Sequence, residues 1–282
     1  MDENRNSNIS SEHSEELLNI IENFRLMDDT FMSKVFEDKA CAELLLRVIL
    51  NRDDLTVVRV VSQFELKNLQ GRSARLDIYA IDEHGKQYDV EVQRSDDGAA
   101  PRRARYNSSL LDANLLNPGD KFDELPESYI IFITEHDVLK GGKPLYTVNR
   151  TISELDHAIF ADGSHIIYVN GEIRNGTALG ELMQDFFCKD PREMHYKVLS
   201  DRAGYFKKDK EGVDTMCKLV EDYGEKRARQ AAEAAAEKAA KERSISIATN
   251  LWNKGERDLQ QIADLTDLPL DEVKKLFEGK TA

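Results

Sequence analysis

The sequence has few cysteines and no long apolar runs. Its three cysteines are odd in number and far apart in 282 residues, which is typical of reduced thiols rather than of a disulfide framework. No run of about 18 apolar residues occurs, so no transmembrane helix is predicted. The first 18 residues are polar and acidic and lack the basic and apolar regions of a signal peptide. We therefore expect an intracellular, cytoplasmic protein without a membrane partner.

Pairs of residues at the spacing of zinc ligands are missing as well. The six histidines are scattered, and none lies at zinc spacing from a cysteine or from another histidine, which argues against a zinc site.

The sequence also has no excess of positive charge. The net charge of −14 argues against a protein that coats nucleic acid nonspecifically, because contact with phosphates requires positive charge. A local basic patch remains compatible with this charge.

The composition predicts four regions along the chain. Residues 1–18 are expected to be a disordered acidic tail. Residues 19–212 carry the apolar patterns of a mixed α/β domain. Residues 213–245 are dominated by Ala, Glu, Lys and Arg and predict an exposed helical spacer. Residues 246–282 predict a small C-terminal helical segment.

The α/β domain is predicted from short patterned segments. Helices are expected between residues 17 and 50 and at 102–116. The β-branched and continuous apolar segments predict strands. These strands are expected at 55–66, in a hairpin over 75–93, and at 129–134, 144–148 and 165–170.

The hairpin brings two carboxylates together. In its turn, DEHGK (82–86), Asp suits the first position of a type I turn and Gly85 suits the left-handed position that follows. A three-residue loop of this kind sets Asp77 opposite Glu91. A two-residue turn at 84–85 would shift the register and put them on opposite faces. We favour the three-residue loop.

Two carboxylates at this spacing call for a cation. Opposed side chains have Cβ atoms about 4.5–5.5 Å apart, so Asp77 and Glu91 repel each other unless a cation lies between them. Mg²⁺, or alternatively Mn²⁺, binds such carboxylate oxygens. Gln93 points to the same face and can hydrogen-bond a water or a phosphate oxygen. The alternative is the solvated face of an amphipathic hairpin, which Asp89 and Lys86 favour.

The pattern Asp-x13-Glu-x-Gln, formed by Asp77, Glu91 and Gln93, resembles the active-site core of the PD-(D/E)XK nuclease superfamily. More narrowly, the chain resembles the recombination-promoting nuclease and putative transposase family of bacteria over roughly residues 24–200. The segments that carry this resemblance are LDIYAIDEHGKQYDVEVQ (76–93), MDDTFMSKVF (27–36), RRARYNSSLL (102–111) and YIIFIT (129–134).

The resemblance implies a restriction-endonuclease-like α/β fold over 19–212, with a mixed central sheet flanked by helices and a C-terminal helical extension. It also implies Mg²⁺-dependent cleavage of DNA. Asp77 and Glu91 would hold the metal with the backbone carbonyl of Val92, and Gln93 would orient the attacking water. Asp29 would add an outer carboxylate, its other expected role being a helix N-cap.

The chain departs from the superfamily pattern at a few positions. Leu76 stands in the place of the proline, which takes no part in the chemistry. Gln93 replaces the lysine and cannot act as a general base near pH 7, although the family commonly has this glutamine. Met32 and Ser33 replace the usual Phe-Lys of the first helix.

A group of arginines follows the hairpin. They leave a net charge of +2 over residues 94–107. Arginine suits bidentate contact with phosphates, so we predict contact with the DNA backbone. The alternative is a solvated helix start with surface salt bridges. The arginines concerned are Arg94, Arg102, Arg103 and Arg105.

The C-terminal segment allows two interpretations. A DNA-binding helix-turn-helix is one, but acidic residues in the second helix do not make a basic recognition face. We favour a homo-oligomer, with the chain associating with itself through Leu268, Val273, Leu276 and Phe277.

Two functions remain after these arguments. The first is a metal-dependent DNA endonuclease, a hydrolase of the transposase-like type. The second is a catalytically weak or inactive nuclease fold kept for DNA binding or protein interaction. The uncharged Gln93 and the acidic chain keep the second open, and metal binding at Asp77 and Glu91 distinguishes the two.

Overall fold

The computed structural model of the chain describes residues 14–68 and 71–278. The chain divides between Val220 and Glu221 into two compact units. This division falls inside the predicted spacer at 213–245.

The first unit alternates helices and strands. Each predicted strand is present, and so is the helix predicted at 102–116, with ends shifted by at most three residues. The helices are α1 (14–23), α2 (Asp29–Val35), α3 (Lys39–Leu50), α4 (Pro101–Ala113), α5 (Ala178–Phe187) and α6 (Lys197–Lys208). The strands are β1 (Val57–Leu66), β2 (Ala74–Asp82), β3 (Gln87–Gln93), β4 (Ser128–Thr134), β5 (Leu145–Val148), β6 (Thr151–Ile152), β7 (Ala158–Ile159) and β8 (Ser164–Asn170).

The main sheet has six strands in the order β1-β2-β3-β4-β8-β5. β1, β2 and β3 are antiparallel, β3-β4 and β4-β8 are parallel, and β5 pairs antiparallel with β8. β4 lies inside the sheet, and all but one of its residues are buried. A strand buried on both faces needs apolar residues at successive positions, which explains the unbroken run at 129–134.

Helices cover both faces of this sheet. One face packs against the larger core, to which α2, α3, α5 and α6 contribute. The other face packs against α4 through Ala104, Leu110 and Leu111, with Ile130 and Phe132 of β4 beneath them. This arrangement confirms the predicted α/β class with a mixed sheet flanked by helices, and it places α4 directly over the hairpin.

The expected acidic tail is shorter than predicted. Residues 14–18 belong to α1, and Leu17 is buried, so this part of the predicted tail is ordered against the first unit. The segment is polar overall, but apolar residues at helical spacing give α1 one face that is buried. Residues 1–13 lie outside the described part of the chain.

The second unit contains the end of a long helix and two short ones. These helices are α7 (Lys210–Asn253), α8 (Leu259–Thr266) and α9 (Leu270–Phe277). Residues 221–243 are exposed throughout, as a helical spacer predicts. Trp252 of α7 stacks on Phe277 of α9 at 4.4 Å between ring centroids. None of the described helices combines the length and apolar content needed to cross a bilayer.

The C-terminal helices bury the apolar residues that were predicted to mediate self-association. Leu268, Val273 and Phe277 are buried within the small core that α7, α8 and α9 form, and Leu276 packs against it. The helical spacing therefore reports contacts inside one chain. These residues therefore offer no exposed apolar surface for the predicted contact between two copies of the chain.

Candidate metal-dependent active site

The turn at 82–86 sets the register of the hairpin as predicted. Ile78 pairs with Val90, and the following pairs run to Ile81 and Gln87. Gly85 has φ +79°, a left-handed conformation that favours glycine. Continuing this register by one residue places Asp77 opposite Glu91.

The hairpin does not present a solvated polar face. Glu91 and Asp89 are fully buried, and Gln87 is buried as well. These residues face α4, which covers them. The alternative of a solvated amphipathic hairpin is therefore wrong, because it requires these polar side chains to be exposed. Since burying charged groups without compensation is costly, the buried carboxylates need compensating partners.

Asp77 and Glu91 each bond to the backbone of the other's strand. Asp77 Oδ2 accepts a hydrogen bond from Val92 N at 3.0 Å. The Glu91 carboxylate accepts one from the backbone N–H of Asp77. The regular pairing of the two strands ends at Ile78 and Val90, so both carboxylates lie where the strands separate.

Burial and mutual repulsion shift the acidity of this pair. Burial raises the pKa of Asp77 to about 6, and nearby Asp29 adds to the rise. Burial also raises the pKa of Glu91 to about 8, and the charge of Asp77 adds to that rise against the opposing effect of Arg103. The pair therefore retains a proton near neutral pH, mainly on Glu91, that a bound cation would displace.

Helix α4 supplies polar partners that the sequence pattern did not reveal. Arg103 Nη2 lies 2.6 Å from Glu91 Oε2. Asn107 Nδ2 donates to Glu91 Oε1 at 3.4 Å and to Asp89 Oδ2 at 3.3 Å. Asp89 Oδ1 has no hydrogen-bond partner among the described residues. Burial, followed by the charges of Glu91 and Asp77, raises the pKa of Asp89 well above its usual range.

Gln93 and the distorted part of β1 complete the surroundings of the pair. Gln93 Nε2 donates to Glu91 Oε2 at 3.2 Å, so its amide lies beside the carboxylates as predicted. Gln63 adopts φ +52°, and its Nε2 lies 3.4 Å from Asp77 Oδ1. A non-glycine residue in this region is strained. No sequence signal identifies Gln63, because the strain depends on the partner strand.

Asp29 lies near the pair but does not cap its helix. It is the first residue of α2, and Asp28 occupies the N-cap position without a side-chain capping bond. The N-cap role expected for Asp29 is therefore wrong. The negative charge of Asp29 raises the pKa of Asp77, so Asp29 lies near the carboxylate pair.

The four arginines predicted to contact DNA have different surroundings. Arg94 bonds to Asp28 at 2.9 Å and to Glu135 at 3.3 Å. Arg103 is held by Glu91. Carboxylates thus already hold two of the four, whereas Arg102 and Arg105 are exposed on α4.

The donor set fits a divalent metal. Among the residues that the structure describes, no group of three or more His, Cys, Asp and Glu side chains forms a metal cage. Mg²⁺ does not require such a cage, since it keeps several waters and often binds through one or two carboxylates. Asp77 and Glu91 supply these carboxylates, and behind them Asp89 Oδ1 is buried without a hydrogen-bond partner among the described residues.

The mixed sheet, the helices on both faces and the carboxylates across the hairpin define a PD-(D/E)XK nuclease-like fold. A family model described as PD-(D/E)XK nuclease family transposase matches residues 32–176. This match spans more than half of the 282 residues, and the chain belongs to that family. The matched residues include the hairpin, α4 and β4, while Asp29 lies just before them. No curated protein and no solved structure matches the chain.

Proposed function

We propose that the protein is a metal-dependent DNA endonuclease that hydrolyses phosphodiester bonds with Mg²⁺, or alternatively with Mn²⁺. Family membership implies a nuclease with DNA as its substrate. The observation that carries the metal dependence is the Asp77–Glu91 pair, in which Glu91 is buried and Asp77 half-buried, with its raised pKa values. Buried like charges persist in proteins when a cation or proton compensates them.

Each residue of the site has a distinct role in this proposal. Asp77 and Glu91 would hold the metal, together with the backbone carbonyl of Val92. When bound, the metal supplies an activated water and neutralises charge on the scissile phosphate. Gln93, whose amide lies beside Glu91, would orient that water, and Arg103, which lies beside Glu91, would offer a positive charge to a phosphate.

Asp29 contributes outside the ligand pair. Its carboxylate lies close enough to raise the pKa of Asp77, yet the metal needs only the two hairpin carboxylates. We assign it the role of an accessory group that hydrogen-bonds metal-bound water.

A second function rests on the contact between Arg103 and Glu91. A guanidinium 2.6 Å from the carboxylate already compensates its charge and competes with a metal for the same oxygen. Gln93 adds no charge that would replace the superfamily lysine. In this alternative the domain binds DNA or another protein without cleaving DNA.

Metal titration separates the two functions. We expect isothermal titration of Mg²⁺ or Mn²⁺ into the wild-type protein to show a saturable site. Glu91→Gln should weaken this binding at least about tenfold, since loss of ionised ligand oxygens weakens a metal site. Glu154→Gln, at an exposed position in the same unit, is the matched control and should bind as wild type does. Absence of saturable binding to the wild type would favour the inactive module.

A further inference from the structure

The arginines of α4 alone do not account for a DNA-binding surface. Arg103 and Arg94 are paired with carboxylates, which leaves only Arg102 and Arg105 exposed. A duplex carries a phosphate charge about every 1.7 Å along its axis, so backbone binding uses several cations. Further positive charge is therefore expected next to α4.

The connection between β1 and β2 supplies that charge. The Tyr106 hydroxyl of α4 donates to the backbone carbonyl of Arg72, and Asn68 Nδ2 donates to the same hydroxyl at 3.2 Å. These bonds hold Asn68 and Arg72 against α4, although Tyr106 lies more than 30 positions from either of them in the sequence. Lys67 and Arg72 are exposed in this connection, and Arg75 is exposed near the start of β2.

These residues and two of the α4 arginines form what we call the cationic face. Its members share an exposed side chain, and none takes part in a salt bridge with another described residue. Glu65 of β1 is the cross-strand neighbour of Arg75 in β2. The cationic face consists of Lys67, Arg72, Arg75, Arg102 and Arg105.

The cationic face reaches the carboxylate pair. Burial raises the pKa of Asp29, and the charge of Arg75 is the largest influence opposing that rise. Asp29 in turn acts on Asp77. Arg75 and Asp77 are also two residues apart in β2, so their side chains lie on the same face of the strand. The chain has a net charge of −14, so a local concentration of cations without salt-bridge partners stands out from the rest of its surface. Such a surface attracts a polyanion.

We propose that the cationic face binds the phosphate backbone of duplex DNA beside the active site, with Arg72 and Arg75 as contact residues in addition to Arg102 and Arg105. This inference rests on the proposed function, because it takes the DNA substrate as the bound partner. Arginine forms bidentate hydrogen bonds with phosphate, and such contacts position DNA without reading its sequence.

DNA binding without cleavage tests this surface. Fluorescence anisotropy of a labelled duplex, measured in EDTA, would compare wild type with the Arg72→Ala/Arg75→Ala variant. We expect Kd to rise at least about tenfold, and the slope of log K against log salt to fall by about two, one for each lost phosphate contact. The Lys121→Ala/Lys218→Ala variant removes the same charge from exposed positions outside this face and should keep the wild-type Kd and slope.

The outcomes separate this inference from the proposed function. Weaker binding and a lower slope in the arginine variant support the cationic face even if the protein cleaves no DNA. An unchanged Kd and slope, with wild-type thermal stability, would overturn it even if cleavage occurs. Equal losses in the lysine control would overturn it as well, because the effect would then follow net charge and not this surface.

Discussion

Replacing Glu91 with glutamine should lower the rate of metal-dependent DNA cleavage by at least about 100-fold. Lewis-acid stabilisation by a bound metal contributes several kcal/mol to the transition state, and each 1.36 kcal/mol is a factor of ten. Asp77→Asn should have a similar effect, because both carboxylates are assigned to the metal. Initial rates on a labelled duplex in Mg²⁺ measure the loss, and Glu154→Gln should retain the wild-type rate.

The same variants should fold at least as well as the wild-type protein. Each removes one of two neighbouring carboxylates whose charges oppose each other. A glutamine at position 91 keeps one of the two oxygens, which can accept a hydrogen bond from Arg103 or from Asn107. Loss of activity together with an undiminished melting temperature identifies chemistry, not unfolding, as the cause. A Glu91→Gln protein that cleaves at the wild-type rate would remove Glu91 from the mechanism.

The melting temperature of the protein should depend strongly on pH. The folded pKa values of Asp77 and Glu91, about 6 and about 8, lie above the ordinary values of these groups. Such groups stabilise the folded state below their unfolded pKa, and this contribution is lost as pH rises through the folded pKa. Without divalent metal, the wild-type melting temperature should therefore fall between roughly pH 5 and pH 9.

Glu91→Gln isolates the contribution of one group to this trend. Its melting temperature should match that of wild type near pH 5 and exceed it by about 5 °C or more near pH 9, since about 1 kcal/mol shifts Tm by about 2–4 °C in a domain of this size. Differential scanning calorimetry in EDTA measures both curves. Parallel curves for the two proteins would show that Glu91 is already charged throughout this range.

Local turn chemistry explains why the hairpin could be predicted. The segment 82–86 fixes its own register through Gly85, and the register then determines which residues face Asp77. No distant contact is needed for this step. The sequence could therefore identify Glu91 and Gln93 as neighbours of Asp77 before any tertiary structure was known.

The surroundings of the pair depend on contacts distant in sequence, and these could not be predicted. Burial of Asp89 follows from the docking of α4 over the hairpin. Arg94 is neutralised by Asp28 and Glu135, which lie far from it in the chain. A run of arginines reveals charge but not its partners. For this reason the predicted DNA contacts included two arginines that are already held by carboxylates.

The C-terminal helices show the same limit for apolar residues. Helical spacing correctly predicted that Val273 and Phe277 share an apolar face. Spacing does not reveal whether the same chain or a second copy covers that face. Here Trp252 and Ile262 cover it, so the unit closes on itself.

Cleavage of closed circular DNA tests the central claim most directly, because a circle has no ends and only an endonuclease can open it. We expect wild-type protein with Mg²⁺ or Mn²⁺ to convert a supercoiled plasmid to nicked or linear forms. In EDTA, or with the Asp77→Asn/Glu91→Gln variant, the plasmid should stay supercoiled. Cleavage that persists in EDTA or in this variant would contradict a metal-dependent endonuclease at this site, and so would an intact plasmid after incubation of the wild-type protein with either metal.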